Sequence, residues 1–142
     1  AATNLEVRKQ LFVSRNTDKG PVLEPVGEGA RLRVGDKLIS RIEIVTDRDM
    51  EYVHLKDMRG AGFEPVNVLS GYRRQDGLGY YESTGDISSN FFINYLRKGK
   101  YVFEYPMFVT NKGEYSIGIA TIQCMYAPEF SAHSQGIRIR VE

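Results

Sequence analysis

The sequence predicts an all-β chain folded as an antiparallel β-sandwich of about eight strands, and three observations carry that expectation. From Tyr101 to Val109 large side chains fall at every second position (Tyr101, Phe103, Tyr105, Met107, Val109), which is the face period of a strand. Short segments of the same kind recur along the chain and are separated by turn residues at regular spacing, as sandwiches require. No window holds the 3.6-residue period with capping residues, so helix is expected to be minor.

Leu5 to Val13 alternates loosely through Leu5, Val7, Leu11 and Val13 and reads as the first strand. Ser14 to Gly29 contains Pro21 and Pro25 among several glycines. Proline offers no ladder donor, so this is expected to be a loop or an irregular edge. Arg31 to Val34 is a short alternating piece, and Gly35-Asp36 marks a turn. Lys37 to Thr46 places Leu38, Ile42 and Ile44 on one face. After a turn at Asp47-Arg48-Asp49, Tyr52 to Asp57 points Val53 and Leu55 inward and His54 and Lys56 outward.

Met58 to Gly79, with Pro65 and repeated glycines, is expected to be mostly loop, with a tight turn at Asp76-Gly77. Gly79 to Ser83 and Ile87 to Leu96 are the next strands, the second with Phe91, Ile93 and Tyr95 on one face. Asn111-Lys112-Gly113 turns the chain into a strand from Glu114, along which the apolar parity changes. Ile117 and Ile119 fall on one face, but Ala120, Ile122 and Cys124 on the other. A bulge near Ala120, or a strand buried on both faces, is expected. Gly136 to Val141 is the last strand, and no internal repeat is visible.

At 142 residues the chain fits one domain, read here as 1–142. A chain of this length buries roughly 70% of its unfolded surface. Its 19 basic and 18 acidic residues are dispersed, and no basic block exceeds Arg73-Arg74. The electrostatic footprint of a nucleic-acid binder is therefore missing, and no nucleic-acid partner is expected. Cys124 is the single cysteine, so no intrachain disulfide is available. No apolar run reaches transmembrane length, and no membrane contact by this domain itself is expected. The chain begins at Ala1 rather than Met, which reads as a piece excised from a larger protein, or as a processed one.

No catalytic group, cofactor or metal site is expected. His54 and His133 have no second histidine at ligand spacing, and His133 beside Ser134 lacks the nucleophile-elbow pattern. Asp47, Asp49 and Glu51 lack the glycine and distal glutamate of a calcium loop. Gly77-Leu78-Gly79 precedes no helix whose amides could hold a phosphate. Cys124 reads as a small buried apolar residue. Two segments remain as candidate contact surfaces. Tyr72, Arg73, Arg74, Tyr80 and Tyr81 form a possible binding loop, since tyrosine and arginine anchor interfaces. A stand-alone ligand- or carbohydrate-binding module using Tyr72, Tyr80 and Tyr81 is one reading, against which the absence of tryptophan counts. The second segment is Met125-Tyr126-Ala127-Pro128-Glu129-Phe130, where Pro128 is expected to force the strand out of its ladder.

The chain resembles the bacterial alpha-2-macroglobulin family, specifically its C-terminal macroglobulin-like domain with an immunoglobulin-like architecture. The resemblance rests on Val34-Gly35-Asp36-Lys37, Asp47-Arg48-Asp49-Met50-Glu51-Tyr52-Val53, Leu55-Lys56-Asp57 and Gly62-Phe63-Glu64-Pro65-Val66. It continues in Gly99-Lys100-Tyr101-Val102-Phe103-Glu104-Tyr105 and in Gly118 through Phe130, whose Met-Tyr-Ala-Pro-Glu-Phe ending is the most discriminating part.

The resemblance implies a non-catalytic module of a protease inhibitor in the bacterial cell envelope, periplasmic or associated with the outer membrane through its parent. It implies that other domains of the same polypeptide are its partners, above all a thioester domain, and that proteases are met through the parent. The family's Cys-x-Glu-Gln thioester motif is absent, since Gln123-Cys124-Met125-Tyr126 has neither its order nor its spacing. The reactive group therefore belongs elsewhere. The resemblance places a thioester-shielding contact at Met125 and Tyr126.

Overall fold

The computed structural model describes residues 5–65, 71–84 and 88–142, together with the backbone but not the side chain of Arg73. These residues form fourteen strands: β1 Leu5–Thr17, β2 Gly20–Pro25, β3 Ala30–Leu32, β4 Lys37–Thr46, β5 Met50–Met58, β6 Phe63–Pro65, β7 Gly71–Gln75, β8 Leu78–Thr84, β9 Ser88–Leu96, β10 Gly99–Val109, β11 Gly113–Ile117, β12 Ala120–Cys124, β13 Ser131–His133 and β14 Ile137–Val141. The class is all-β, as the alternation predicts. The strand number exceeds about eight because β2, β6, β7 and β13 carry no clear alternation in the sequence, and because the stretch from Glu114 divides into β11 and β12.

Three sheets result. A five-stranded sheet has the order β2-β1-β4-β10-β6, a six-stranded sheet β13-β12-β5-β9-β8-β7, and a three-stranded sheet β11-β14-β3. The long strands β1, β4 and β10 run past two separate cores. Leu5, Val7, Ile42, Ile44, Phe103 and Tyr105 pack with Val53, Leu55, Phe91, Ile93 and Ile122 of the six-stranded sheet. Further along the same strands, Leu11, Val13, Leu38, Met107 and Val109 pack with Leu32, Ile117, Ile139 and Val141 of the three-stranded sheet. Tyr101 sits at the margin of the first core, half-buried, and donates its hydroxyl to the Arg97 carbonyl.

Where one core gives way to the other, the inward positions turn polar. Lys9 lies between Val7 and Leu11, Ser40 between Leu38 and Ile42, and Tyr105 between Phe103 and Met107, with Ser40 and Tyr105 opposite each other in the ladder. From the facing sheet Asp57 enters the same seam. Its carboxylate takes the Lys9 ammonium on Oδ1 at 2.5 Å, and Oδ2 accepts from Ser40 Oγ at 3.3 Å and from the Tyr105 hydroxyl. The Lys9 and Asp57 side chains are both fully buried. Burial first, and then the Asp57 charge, push the Tyr105 phenol well above its usual value, so it keeps its proton and acts as donor. Arg59 extends the seam by donating to Ser89 Oγ at 2.9 Å.

Sheet edges are closed by side chains. Gln75 mimics a strand against β10, accepting from Glu104 N at 3.0 Å and donating to Glu104 O at 2.9 Å. Asp76 accepts from Val102 N at 2.8 Å. The paired contacts satisfy groups that an open edge would leave to another chain. Asp76 and Gly77 both have positive φ, 51° and 74°, which is the two-residue hairpin turn read from the sequence.

Four expectations are corrected. The segment from Met58 to Gly79 is not mostly loop, because β6, β7 and the start of β8 lie within it. β7 gains its extended form from pairing with β8 rather than from its own composition. The parity change after Ile117 is neither a bulge nor two-sided burial. The chain leaves the three-stranded sheet at Gly118, whose φ is +92°, and enters the six-stranded sheet at Ala120, so the inward face is reset. Tyr95 is exposed where it was expected beside Phe91 and Ile93, and Leu96 takes the inward place. Pro128 does not end β12, which stops at Cys124. The expected strand start at Ile87 and the motif residue Val66 lie outside the described residues. Ser14 to Gly29 contributes the end of β1 and then β2, which pairs with β1 alone and so accepts its prolines at an edge.

Gly62 is needed for a close approach. A Cβ there would lie 2.3 Å from Tyr115 Cζ, and the Tyr115 hydroxyl donates to the Asn111 and Lys112 carbonyls. Gly62→Ala is expected to lower stability by about 1–3 kcal/mol. Chemical denaturation checks this, and an unchanged midpoint would show that the ring moves aside freely.

Candidate functional site

The segment after β12 forms a compact tip joining β12 to β13. Ala127 N donates to Cys124 O at 3.3 Å, Phe130 N to Ala127 O at 2.9 Å, and Cys124 N to Phe130 O at 3.0 Å. Met125 N reaches across to Tyr52 O on β5 at 2.9 Å, and the Cys124 thiol donates to Glu51 O at 3.4 Å. The tip is thus tied to β5 by its backbone. Cys124 itself is buried in the first core.

Tyr52 is in the left-handed region, with φ 55°, a conformation that aromatic side chains seldom adopt. Its ring meets that of Tyr126 edge-on, with centroids 5.0 Å apart at 83°. Tyr126 is 79% exposed, Met125 51% and Tyr52 47%. The Arg48 guanidinium lies 4.8 Å from the centre of the half-buried Phe130 ring. Large apolar side chains are therefore held outward on a hydrogen-bonded tip.

Beside this tip, Asp49 accepts from Lys98 N at 2.8 Å and from the Tyr95 hydroxyl at 3.2 Å. The Lys98 amide chiefly, with the Tyr95 hydroxyl, holds the Asp49 carboxyl below its ordinary value, and the same contact raises the Tyr95 phenol. A depressed carboxyl stabilises the fold above its unfolded pKa, and that contribution is lost as pH falls through the folded pKa. A carbon-detected NMR titration is expected to place the Asp49 midpoint below that of an unstructured aspartate. Tyr95→Phe should raise it, whereas an unmoved midpoint would mean that the hydroxyl contact does not form in solution.

The second candidate surface is a hairpin, not a loop. Tyr72, Arg73 and Arg74 lie on β7, and Tyr80 and Tyr81 on β8. Alternation splits the set. Tyr80 is 4% exposed and packs in the core against Phe91 and Phe103, while Tyr72 is 78% exposed and meets Tyr81 edge-on at 5.0 Å. Phe92, opposite Tyr81, stacks at 4.7 Å on His54, whose Nε2 is 2.9 Å from Asn90 Oδ1. Tyr72, Tyr81, Phe92 and Tyr95 line a shallow hollow of ≈ 600 Å³. The Arg73 side chain lies outside the described residues.

His133 and Ser134 do not form a dyad. His133 Nδ1 faces the Ser134 carbonyl at 3.1 Å, and the Ser134 hydroxyl donates to Gly118 O and accepts from Ala120 N. Among the described residues no three His, Cys, Asp or Glu side chains gather where they could hold a metal ion. Tyr52 at the tip, and Lys9 and Asp57 in the seam, are not singled out by any motif in the sequence. For the latter two a signal existed, since both continue the inward parity of their strands.

The family model described as the bacterial alpha-2-macroglobulin MG10 domain matches residues 5–129. The chain belongs to this family. The fold of this MG10 domain is also that of solved bacterial alpha-2-macroglobulins. It aligns to Salmonella alpha-2-macroglobulin reacted with methylamine with a TM-score of 0.76 at 18% identity, covering 99% of this chain and 9% of that one. It aligns to Escherichia coli alpha-2-macroglobulin activated by porcine elastase with a TM-score of 0.78 at 16% identity, covering 100% of this chain and 13% of that one. A curated relative, Circularly permutated Ras protein 2 of Dictyostelium discoideum, is 26% identical over 135 residues, which are 95% of this chain and 3% of that protein. The MG10 domain thus spans a small part of each of these relatives. Among its described residues no helix is long and apolar enough to cross a membrane.

Proposed function

We propose that this MG10 domain is a non-catalytic structural and regulatory module of a bacterial alpha-2-macroglobulin-like protease inhibitor. It packs on the thioester-bearing domain of the same polypeptide and covers the thioester with Met125 and Tyr126. The observation that carries this reading is the outward Met125 and Tyr126 pair on a tip tied to β5 through Tyr52. A thioester survives only where water is kept away, and two large side chains on a rigid tip supply a dry cover. The parent meets the protease, and it resides in the bacterial cell envelope, periplasmic or at the outer membrane.

Hydrogen exchange in the full-length parent tests the packing. The amides around Met125 to Phe130 are expected to exchange more slowly in the native parent than in the isolated domain, and to speed up once a protease has cut the parent. Equal exchange in all three states would remove the proposed contact.

The hollow beside Tyr72 and Tyr81 supports a second reading, a module that stacks sugar rings on those tyrosines and Phe92. Saturable glycan binding lost in Tyr72→Ala would favour it over the first.

A further inference from the structure

We propose that Lys9 and Asp57 condense into an intramolecular isopeptide bond that staples the two facing sheets. The inference is independent of the thioester cover. Lys9 stands on β1 of the five-stranded sheet and Asp57 on β5 of the six-stranded sheet, so the link would cross the sandwich at the seam between its two cores. Both side chains are fully buried, with Nζ 2.5 Å from Oδ1. An ammonium has three protons to place, and among the described residues Asp57 is the one hydrogen-bond acceptor Lys9 has. Two formal charges in a dry interior are costly, and a neutral amide removes both.

The two carboxylate oxygens have different surroundings, which divides their roles. Oδ1 faces the amine. Oδ2 accepts from the Tyr105 and Ser40 hydroxyls, two donors placed where negative charge develops when nitrogen adds to the carbonyl carbon. The raised Tyr105 phenol stays protonated for that task.

The step balances without an oxidant or a co-reactant. Nζ gives one proton to Oδ1, and its lone pair then forms the bond to Cγ. A second proton follows from Nζ to Oδ1, the Cγ–Oδ1 bond breaks, and Oδ1 leaves as water. One N–H remains on the amide, and Oδ2 becomes its carbonyl oxygen. Strands on both sheets hold the reacting groups together, so the condensation needs no encounter between separate molecules.

Mass spectrometry under denaturing conditions tests the bond, on the purified chain and on its parent after proteolysis. The intact chain is expected to weigh one water less than its sequence requires. The digest should contain a branched peptide joining the Lys9 segment to the Asp57 segment, which separates the crosslink from a succinimide at Asp57. Lys9→Met should restore the full mass. Tyr105→Phe keeps both reacting groups and should lower the crosslinked fraction several-fold at equal times. A wild-type chain of full mass, with Lys9 and Asp57 in separate peptides, would overturn the proposal. So would a water loss that persists in Lys9→Met. An undiminished crosslink in Tyr105→Phe would overturn the role given to the phenol.

Discussion

Phe103→Ala is expected to cost about 3–5 kcal/mol of folding stability. Phe103 is 1% exposed at the centre of the first core, with its ring 5.2 Å from Phe91 and 5.3 Å from Tyr80. Removing it leaves a cavity between two sheets whose backbones are held in place, β10 by its ladder with β4 on one side and by the Gln75 side chain on the other, so little collapse can refill the space. Urea denaturation checks this through a lowered midpoint at an unchanged slope. A loss below about half a kcal/mol would contradict the packing of the first core, since a truncated core aromatic should cost far more.

Lys9→Met is expected to cost a comparable amount, about 3–5 kcal/mol, although methionine is nearly as long as lysine. The variant strands the Asp57 carboxylate without its Lys9 partner and severs the link between β1 and β5, whether that link is ionic or covalent. Lys56→Met, on the outward parity of β5, is expected to stay within about half a kcal/mol of wild type. Denaturation midpoints that rank these two variants equally would mean the seam is wetter than its burial indicates.

The legible part of the fold lay in strands whose two faces differ. β4 and β10 alternate strictly, because one face meets a core and the other meets solvent, and their inward residues Ile42, Ile44, Phe103 and Met107 are buried as expected. β7 was not legible. Gly71, Arg74 and Gln75 carry no strand preference, and their extended form comes from pairing with β8. The sheet change at Gly118 was visible as a broken parity, but a period of two does not report which sheet a strand joins.

The candidate site was legible in its residues and not in its support. Met125 and Tyr126 stood out by their type and place, yet the tip's anchor at Tyr52 depends on a positive φ that no side-chain pattern encodes. Alternation along Gly79 to Ser83 separates Tyr80 from Tyr81, whereas Tyr72 takes its face from the pairing of β7 with β8. Lys9 and Asp57 are in phase with Leu11 and Leu55, but charged residues at inward positions are rare, so the pattern alone does not mark them as buried.

The thioester cover is tested most directly by the rate at which methylamine consumes the thioester of the full-length parent in the absence of protease. Met125→Ala combined with Tyr126→Ala should raise that rate several-fold. The melting temperature should fall only slightly, because both side chains are exposed at the tip and contribute little to either core. Tyr72→Ala, on the distant hairpin, should leave the rate unchanged. A folded double variant that reacts with methylamine no faster than wild type would contradict the cover.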